Sequence, residues 1–241
     1  MSIADSTPTL LIPGLTDSPR LYQEQLPALF RFGPVMVGDH TRDDTVTALA
    51  ARVLQHAPPR FALVGLSLGG YAALEIMRAA PERVLRLALL DTSARPETVE
   101  STERRKLGIA RAERGEYREV VEATWPLMVH ESKLEDLMLK QMFVNMHMAA
   151  GAEVYVRQQR AIMSRPDSRP SLNAIRCPTL VLVGDSDKVT PVEVAQEMAG
   201  GIFEAKLRVI ERSGHLSALE QPQAVSEALV AWMAHGAKHV R

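Results

Sequence analysis

The segment Phe61-Ala-Leu-Val-Gly65-Leu-Ser67-Leu-Gly69-Gly70-Tyr71 leads a buried, strand-like apolar run through a tight turn and straight into a helical pattern. A serine at the tip of so sharp a turn has a strained backbone, and the positions two before and two after it must be small because strand and helix close in on each other. Gly65 and Gly69 meet that need. The geometry exposes the Ser67 hydroxyl and points the Leu68 N–H, with the N-terminus of the following helix, at the place where an oxyanion would form. With 14 Gly and 14 Ser in 241 residues, G-x-S-x-G arises by chance only about 0.05 times per chain, so in this strand-to-helix context Ser67 is a candidate nucleophile.

The rest of the chain supplies a scaffold for that turn. Thr9–Ile12, Val35–Gly38, Phe61–Val64, Leu85–Leu90, Thr179–Val183 and Leu207–Ile210 have strand length without clean alternation, the pattern of strands buried on both faces. Helix-length amphipathic segments lie between them, among them Asp43–His56, Leu68–Ala79 and Pro191–Ala199. This alternation predicts an α/β fold with a mostly parallel open sheet and helices on both faces. It breaks once, over residues 96–174, where the pattern is wholly helical and charge-rich, so residues 1–95 and 175–241 are expected to form the core and 96–174 an insertion.

A serine hydroxyl needs a base to take its proton and a carboxylate to orient the base. Of seven histidines, His215 follows the last expected strand in the loop Ser213-Gly214-His215, at the carboxyl edge of the sheet where Ser67 also lies. His56, His235 and His239 fall at helix ends or in the C-terminal tail, His130 and His147 in the insertion, and His40 in a loop beside the sheet. Three acids qualify by position: Asp185 and Asp187 just past Thr179–Val183, and Asp91 at the end of Leu85–Leu90. The order Ser67, Asp187, His215 is that of hydrolases built on a strand-turn-helix nucleophile.

With these segments in hand, the chain resembles the α/β-hydrolase superfamily, most closely bacterial carboxylesterases, enol-lactonases and carbon–carbon bond hydrolases. The resemblance rests on Pro13-Gly14-Leu15, Gly65 to Gly69, Gly184-Asp185-Ser186-Asp187 with Pro191, and Gly214-His215 with Glu220 and Pro222. It implies that Asp187 is the acid, that the Leu15 N–H joins the Leu68 N–H as an oxyanion donor, and that the insertion forms a helical cap over the site. Pro13 departs from the histidine usual before the oxyanion glycine. The implied activity is ester hydrolysis through an acyl-enzyme, without metal or organic cofactor, on a small-molecule ester. Two readings compete with it: a lactone or carbon–carbon bond hydrolase using the same three residues, and a ligand-binding protein keeping them as vestiges.

Elsewhere the chemistry is sparser. Met138, Met142 and Met146 recur every four residues and would either roof an apolar substrate pocket or pack as insertion core. The charges from Glu100 to Glu119 alternate in sign, as a solvated helix face does, rather than forming a docking patch for an anion. Asp39, His40, Asp43 and Asp44 could be metal ligands, but Asp43 or Asp44 suits the N-cap of the next helix, and no metal is expected. Balanced charge, 28 Lys and Arg against 29 Asp and Glu, argues against nucleic acid as a partner. No apolar run reaches the roughly 20 residues that span a bilayer, so membrane insertion is not expected. A single cysteine, Cys177, and an N-terminus without a secretory layout point to the cytoplasm.

Overall fold

In a parallel sheet covered on both sides, the two-residue period of each strand sends alternate side chains into two separate cores. The computed structural model, which describes residues 6–235, has this arrangement. Leu11, Ala62, Val64, Ala88, Leu90, Leu180 and Leu182 enter one core, while Leu10, Ile12, Phe61, Leu63, Leu87, Leu89, Val181 and Val183 enter the other. The strands are β1 (Thr9–Ile12), β2 (Val35–Val37), β3 (Phe61–Leu66), β4 (Val84–Leu90), β5 (Thr179–Gly184) and β6 (Lys206–Ile210). They form one sheet in the order β2-β1-β3-β4-β5-β6 with every pairing parallel. The inner strands are buried, but β2 is half-buried and β6 is exposed along most of its length, correcting the expectation of burial on both faces. Each is an edge strand with one neighbour.

The helices are α1 (Leu26–Leu29), α2 (Val46–His56), α3 (Leu68–Ala79), α4 (Val99–Glu113), α5 (Tyr117–Met128), α6 (Leu137–Ala150), α7 (Ala152–Met163), α8 (Val192–Gly201), α9 (Ser217–Glu220) and α10 (Pro222–Ala234). Residues of α2, α3 and α8 pack in the core of one sheet face, and residues of α10 and of α4 to α6 in that of the other. The N-cap of α2 is Thr45, whose side chain accepts the Ala48 N–H at 3.2 Å, rather than Asp43 or Asp44. Asp43 instead pairs with Arg52 at 2.6 Å. Among the described residues no helix is long and apolar enough to cross a membrane. His239 lies outside the described residues.

Between β4 and β5 the chain forms only helices, α4 to α7, with short turns. The two ends of this segment are tied together. Arg165 pairs with Glu97, which also accepts from Arg105 at 3.2 Å, and the Arg165 guanidinium lies over the Tyr71 ring at 4.7 Å. Arg104 and Lys106 make exposed pairs with Glu100 and Glu103, as on a solvated face. Arg105 departs from that face and turns inward to Gln159 Oε1 at 2.7 Å.

Candidate active site

The chain runs from β1 to β2 on one side and returns to β3 on the other, so the loops after β1 and β3 meet at the carboxyl end of the sheet where its order reverses. Open α/β sheets bind their ligands at such a point. Ser67 stands there between β3 and α3 with φ 53° and ψ −114°, in a left-handed region that costs a non-glycine residue of order 1–3 kcal/mol. Its neighbours have to be glycine. A Cβ on Gly65 would overlap the Gly69 backbone, and one on Gly69 would overlap the Ile12 carbonyl. Ser67 N–H donates to Leu90 O at 3.0 Å and its carbonyl accepts from Thr92 Oγ1 at 2.8 Å, holding the turn while the residue stays partly exposed.

His215, in the loop after β6, brings Nε2 to 3.0 Å from Ser67 Oγ and Nδ1 to 2.8 Å from Asp187 Oδ2. With an ionised Asp187, Nδ1 carries the proton and Nε2 accepts from the serine. Asp187 is 4% exposed and its Oδ1 accepts the Val189 and Thr190 N–H groups at 2.8 and 2.9 Å, while Thr190 Oγ1 donates to Oδ2 at 2.7 Å. The other two acids have different partners. Asp185 accepts the Arg212 and Ser213 N–H groups at 2.8 and 3.2 Å and shapes the histidine loop from outside. Asp91, fully buried, accepts from Gly184 N–H at 3.0 Å and from Ser217 Oγ.

The carboxyls and the imidazole set one another's charge. Burial alone would lower the His215 pKa, but facing Asp187, Asp91 and Asp17 outweigh it and hold the value above that of an ordinary histidine. Burial would raise Asp187, yet the imidazole and the Thr190 donors bring it below the usual carboxylate value. Asp91 is pushed well above that value by burial and then by the charge of Asp187.

Two loops of the site are fastened by residues of which only Glu220 belongs to a sequence motif. His215 and Leu216 N–H donate to Met128 O at 2.9 and 3.2 Å, and Glu220 accepts from Gly214 and His130 N–H at 2.8 and 2.7 Å. The histidine loop is thus bonded to the end of α5. In the loop after β1, Thr16 has φ 54°, and its N–H donates to Gln158 Oε1 at 2.6 Å, while Gln158 Nε2 donates to His40 O at 2.9 Å. Gln158, on α7, is fully buried. Among the described residues neither the Leu15 nor the Leu68 N–H donates to an acceptor outside its own helix or strand. Because Gln158 fixes the strained peptide next to Leu15, Gln158→Leu is expected to lower kcat by roughly tenfold or more, toward the loss seen for one oxyanion donor, with little change in KM. Steady-state kinetics beside a thermal melt check this.

The methionine expectation needs correcting. Met138 is 86% exposed at the start of α6, Met142 is half-buried and Met146 is buried. A spacing of four residues advances about 40° per step around a helix, and over this arc exposure falls from Met138 to Met146. The insertion methionine bonded to the site is Met128, through its carbonyl. The group around His40 also separates: His40 Nε2 bonds Gly14 O at 3.0 Å, and Asp39 accepts from Thr41 and Arg42. His130 and His147 bond Ser132 and Phe143 O within the helical segment. A groove of about 510 Å³ between β5, β6 and α10, lined by Cys177, Phe203 and Trp232 among others, lies at the amino end of the strands, away from Ser67.

A hydroxyl hydrogen-bonded to an imidazole that is itself held by a carboxylate can perform nucleophilic acyl transfer. Comparisons with known proteins agree with this chemistry. A thermophilic esterase from Thermogutta terrifontis superposes with a TM-score of 0.86 at 30% identity, over 95% of this chain and 89% of its own. A hydrolase from Pseudomonas aeruginosa does so with a TM-score of 0.86 at 26% identity, over 97% and 92%. The 3-oxoadipate enol-lactonase 2 of Acinetobacter baylyi is 28% identical over 200 residues, 82% of this chain and 72% of that protein. The model of the alpha/beta hydrolase family matches residues 10–228, and the chain belongs to that family.

Proposed function

We propose that this protein is a carboxylic-ester hydrolase working through an acyl-enzyme on Ser67. Ser67 Oγ attacks the ester carbonyl carbon as its proton passes to His215 Nε2, and Asp187 holds the imidazole and stabilises the imidazolium. The carbonyl oxygen, now an oxyanion, takes the Leu15 and Leu68 N–H groups. The carbon–oxygen bond to the alcohol breaks, and the alcohol leaves with the proton from Nε2. Water then adds to the acyl-enzyme by the same route, releasing the acid and restoring Ser67. The observation that carries this reading is the continuous hydrogen-bond chain Ser67 Oγ, His215 Nε2, His215 Nδ1, Asp187. A lactone is the same bond closed into a ring, and the resemblance to an enol-lactonase makes lactone hydrolysis the second reading.

In the same reading residues 96–174 act as a cap, whose bonds to the histidine loop and to the loop after β1 support that role. Met128 meets the histidine loop through its carbonyl, and in this reading its side chain lies on the acyl side and favours apolar acyl groups. Each methylene buried there contributes about 0.8 kcal/mol, and kcat/KM for aryl esters is expected to climb several-fold per carbon at most from acetate to medium chains before levelling. A series from acetate to decanoate measures it. A flat series argues against an apolar acyl pocket, and no turnover of any ester by folded protein rejects the hydrolase reading.

A further inference from the structure

The turn that carries the Leu15 N–H also carries a carboxyl that the proposed reaction does not use. Asp17 is 6% exposed, its N–H closes the turn onto Gly14 O at 3.2 Å, and among the described residues its buried Oδ1 has no hydrogen-bond partner. Asp17 Oδ2 and Ser67 Cβ lie 2.6 and 3.5 Å from the point where a Gly14 side chain would begin, so the carboxyl overhangs Gly14 on the side of the nucleophile. The ionisable groups around it are His215 from the loop after β6, Tyr22 from the 3-10 turn after β1 and Tyr117 from α5. Each spends its polar hydrogen elsewhere: Tyr22 on Ile12 O at 3.0 Å, Tyr117 on His147 O at 3.1 Å and His215 Nδ1 on Asp187. A buried carboxyl oxygen without a partner is destabilising, and one beside a nucleophile is placed to be completed by a ligand.

We propose that Asp17 is a specificity-determining residue that receives a hydroxyl group of the substrate close to the scissile bond, so that hydroxylated esters are the preferred substrates. The proposal rests on the ester-hydrolase reading above. Burial is the largest influence on the Asp17 carboxyl and pushes its pKa up to about 7, against the opposing pull of His215 and the Gly14 backbone. Near neutral pH both forms are therefore present. A hydroxyl suits either, donating to the carboxylate or accepting from the acid. An ammonium suits only the ionised form, and a substrate carboxylate only the neutral one.

Paired esters test this. On the acyl side, p-nitrophenyl butyrate is compared with its 2-hydroxy and 3-hydroxy analogues, and on the alcohol side, ethyl butyrate with 2-hydroxyethyl butyrate. The wild type is expected to favour at least one hydroxylated member by about tenfold in kcat/KM, the size of one well-placed hydrogen bond, and the series in which this occurs identifies the side. Asp17→Leu should bring that ratio close to one, whereas Asp17→Asn, which still donates and accepts, keeps most of it. A second readout serves if Asp17→Leu does not fold. Relative to butyrate, p-nitrophenyl hemisuccinate should improve as pH falls below 7 in the wild type and show no such trend in Asp17→Asn. A wild-type ratio near one in both series, a ratio unchanged in Asp17→Leu, or the same hemisuccinate trend in Asp17→Asn overturns the proposal. Absence of turnover on plain and hydroxylated esters alike overturns the hydrolase reading and this inference with it, whereas equal turnover of the pairs overturns the inference alone.

Discussion

Ser67→Ala is expected to lower kcat by roughly 10⁴-fold or more while the melting curve stays close to that of the wild type. Alanine keeps the Cβ, so the strained conformation at φ 53° is neither relieved nor worsened, and Gly65 and Gly69 still accommodate the turn. What disappears is the atom that attacks, together with one hydrogen bond to His215 Nε2 that contributes about 1 kcal/mol. A fluorophosphonate, which requires a base-activated hydroxyl beside oxyanion donors, should label the wild type on Ser67 and leave Ser67→Ala unmodified. Label on another residue, or residual activity above about a tenth of the wild type, would remove Ser67 from the mechanism.

Asp187→Asn should be the second large effect, a loss of roughly 10⁴-fold by analogy with the serine proteases, while Asp185→Asn should change kcat little. An amide at position 187 can present its NH₂ to His215 Nδ1, which drives the ring proton to Nε2 and leaves no lone pair for the serine. Asp185 faces the Arg212 and Ser213 N–H groups instead, so its loss loosens a loop without touching the tautomer. Losses of similar size at both positions would leave the acid unassigned. The pH profile supplies an independent check. The reaction needs neutral His215, so kcat/KM rises with pH through the His215 pKa. Facing carboxylates hold that pKa above the ordinary 6.5 despite burial, so the acid limb of the wild-type profile is expected above 6.5. In Asp187→Asn the limb should move to lower pH, because the closest of those charges is gone. A limb that stays in place in the variant would mean that another group titrates.

The strand-to-helix turn was legible because most of its requirements are local: the positive φ at Ser67 and the Gly65 position, where a Cβ would overlap the Gly69 backbone, follow from sterics within about five residues, and only the Gly69 contact with the Ile12 carbonyl comes from elsewhere in the chain. The strand runs were legible for a similar reason, since a Leu- and Val-rich run of strand length between helical patterns has few other places to go. Burial of β2 and β6 was misjudged because sheet order, which makes a strand central or peripheral, is not a property of the strand itself. The N-cap of α2 went to Thr45 over its neighbouring aspartates because Asp43 found Arg52, nine residues on.

Asp187, Asp185 and Asp91 show the same division within the site. All three follow buried strands and are of one residue type, and position alone left them equivalent. Tertiary structure distinguishes them by giving Asp187 an imidazole, Asp185 two loop N–H groups and Asp91 a buried serine. Gln158 left no local trace, since a glutamine on a helix acquires a role only when the chain brings it 142 positions back to Thr16. Asp17 carries no local signal either, since its environment arises only when folding surrounds its carboxyl with groups already hydrogen-bonded elsewhere. The sequence by itself determined the layered architecture, the serine and the histidine, because short-range sterics and apolar periodicity act along the chain. The partners that separate the three acids, the bonds that Gln158 and Met128 make to the two loops and the exposure of Met138 were decided by tertiary structure, because hydrogen-bond partners and solvent contact are set by residues distant in sequence.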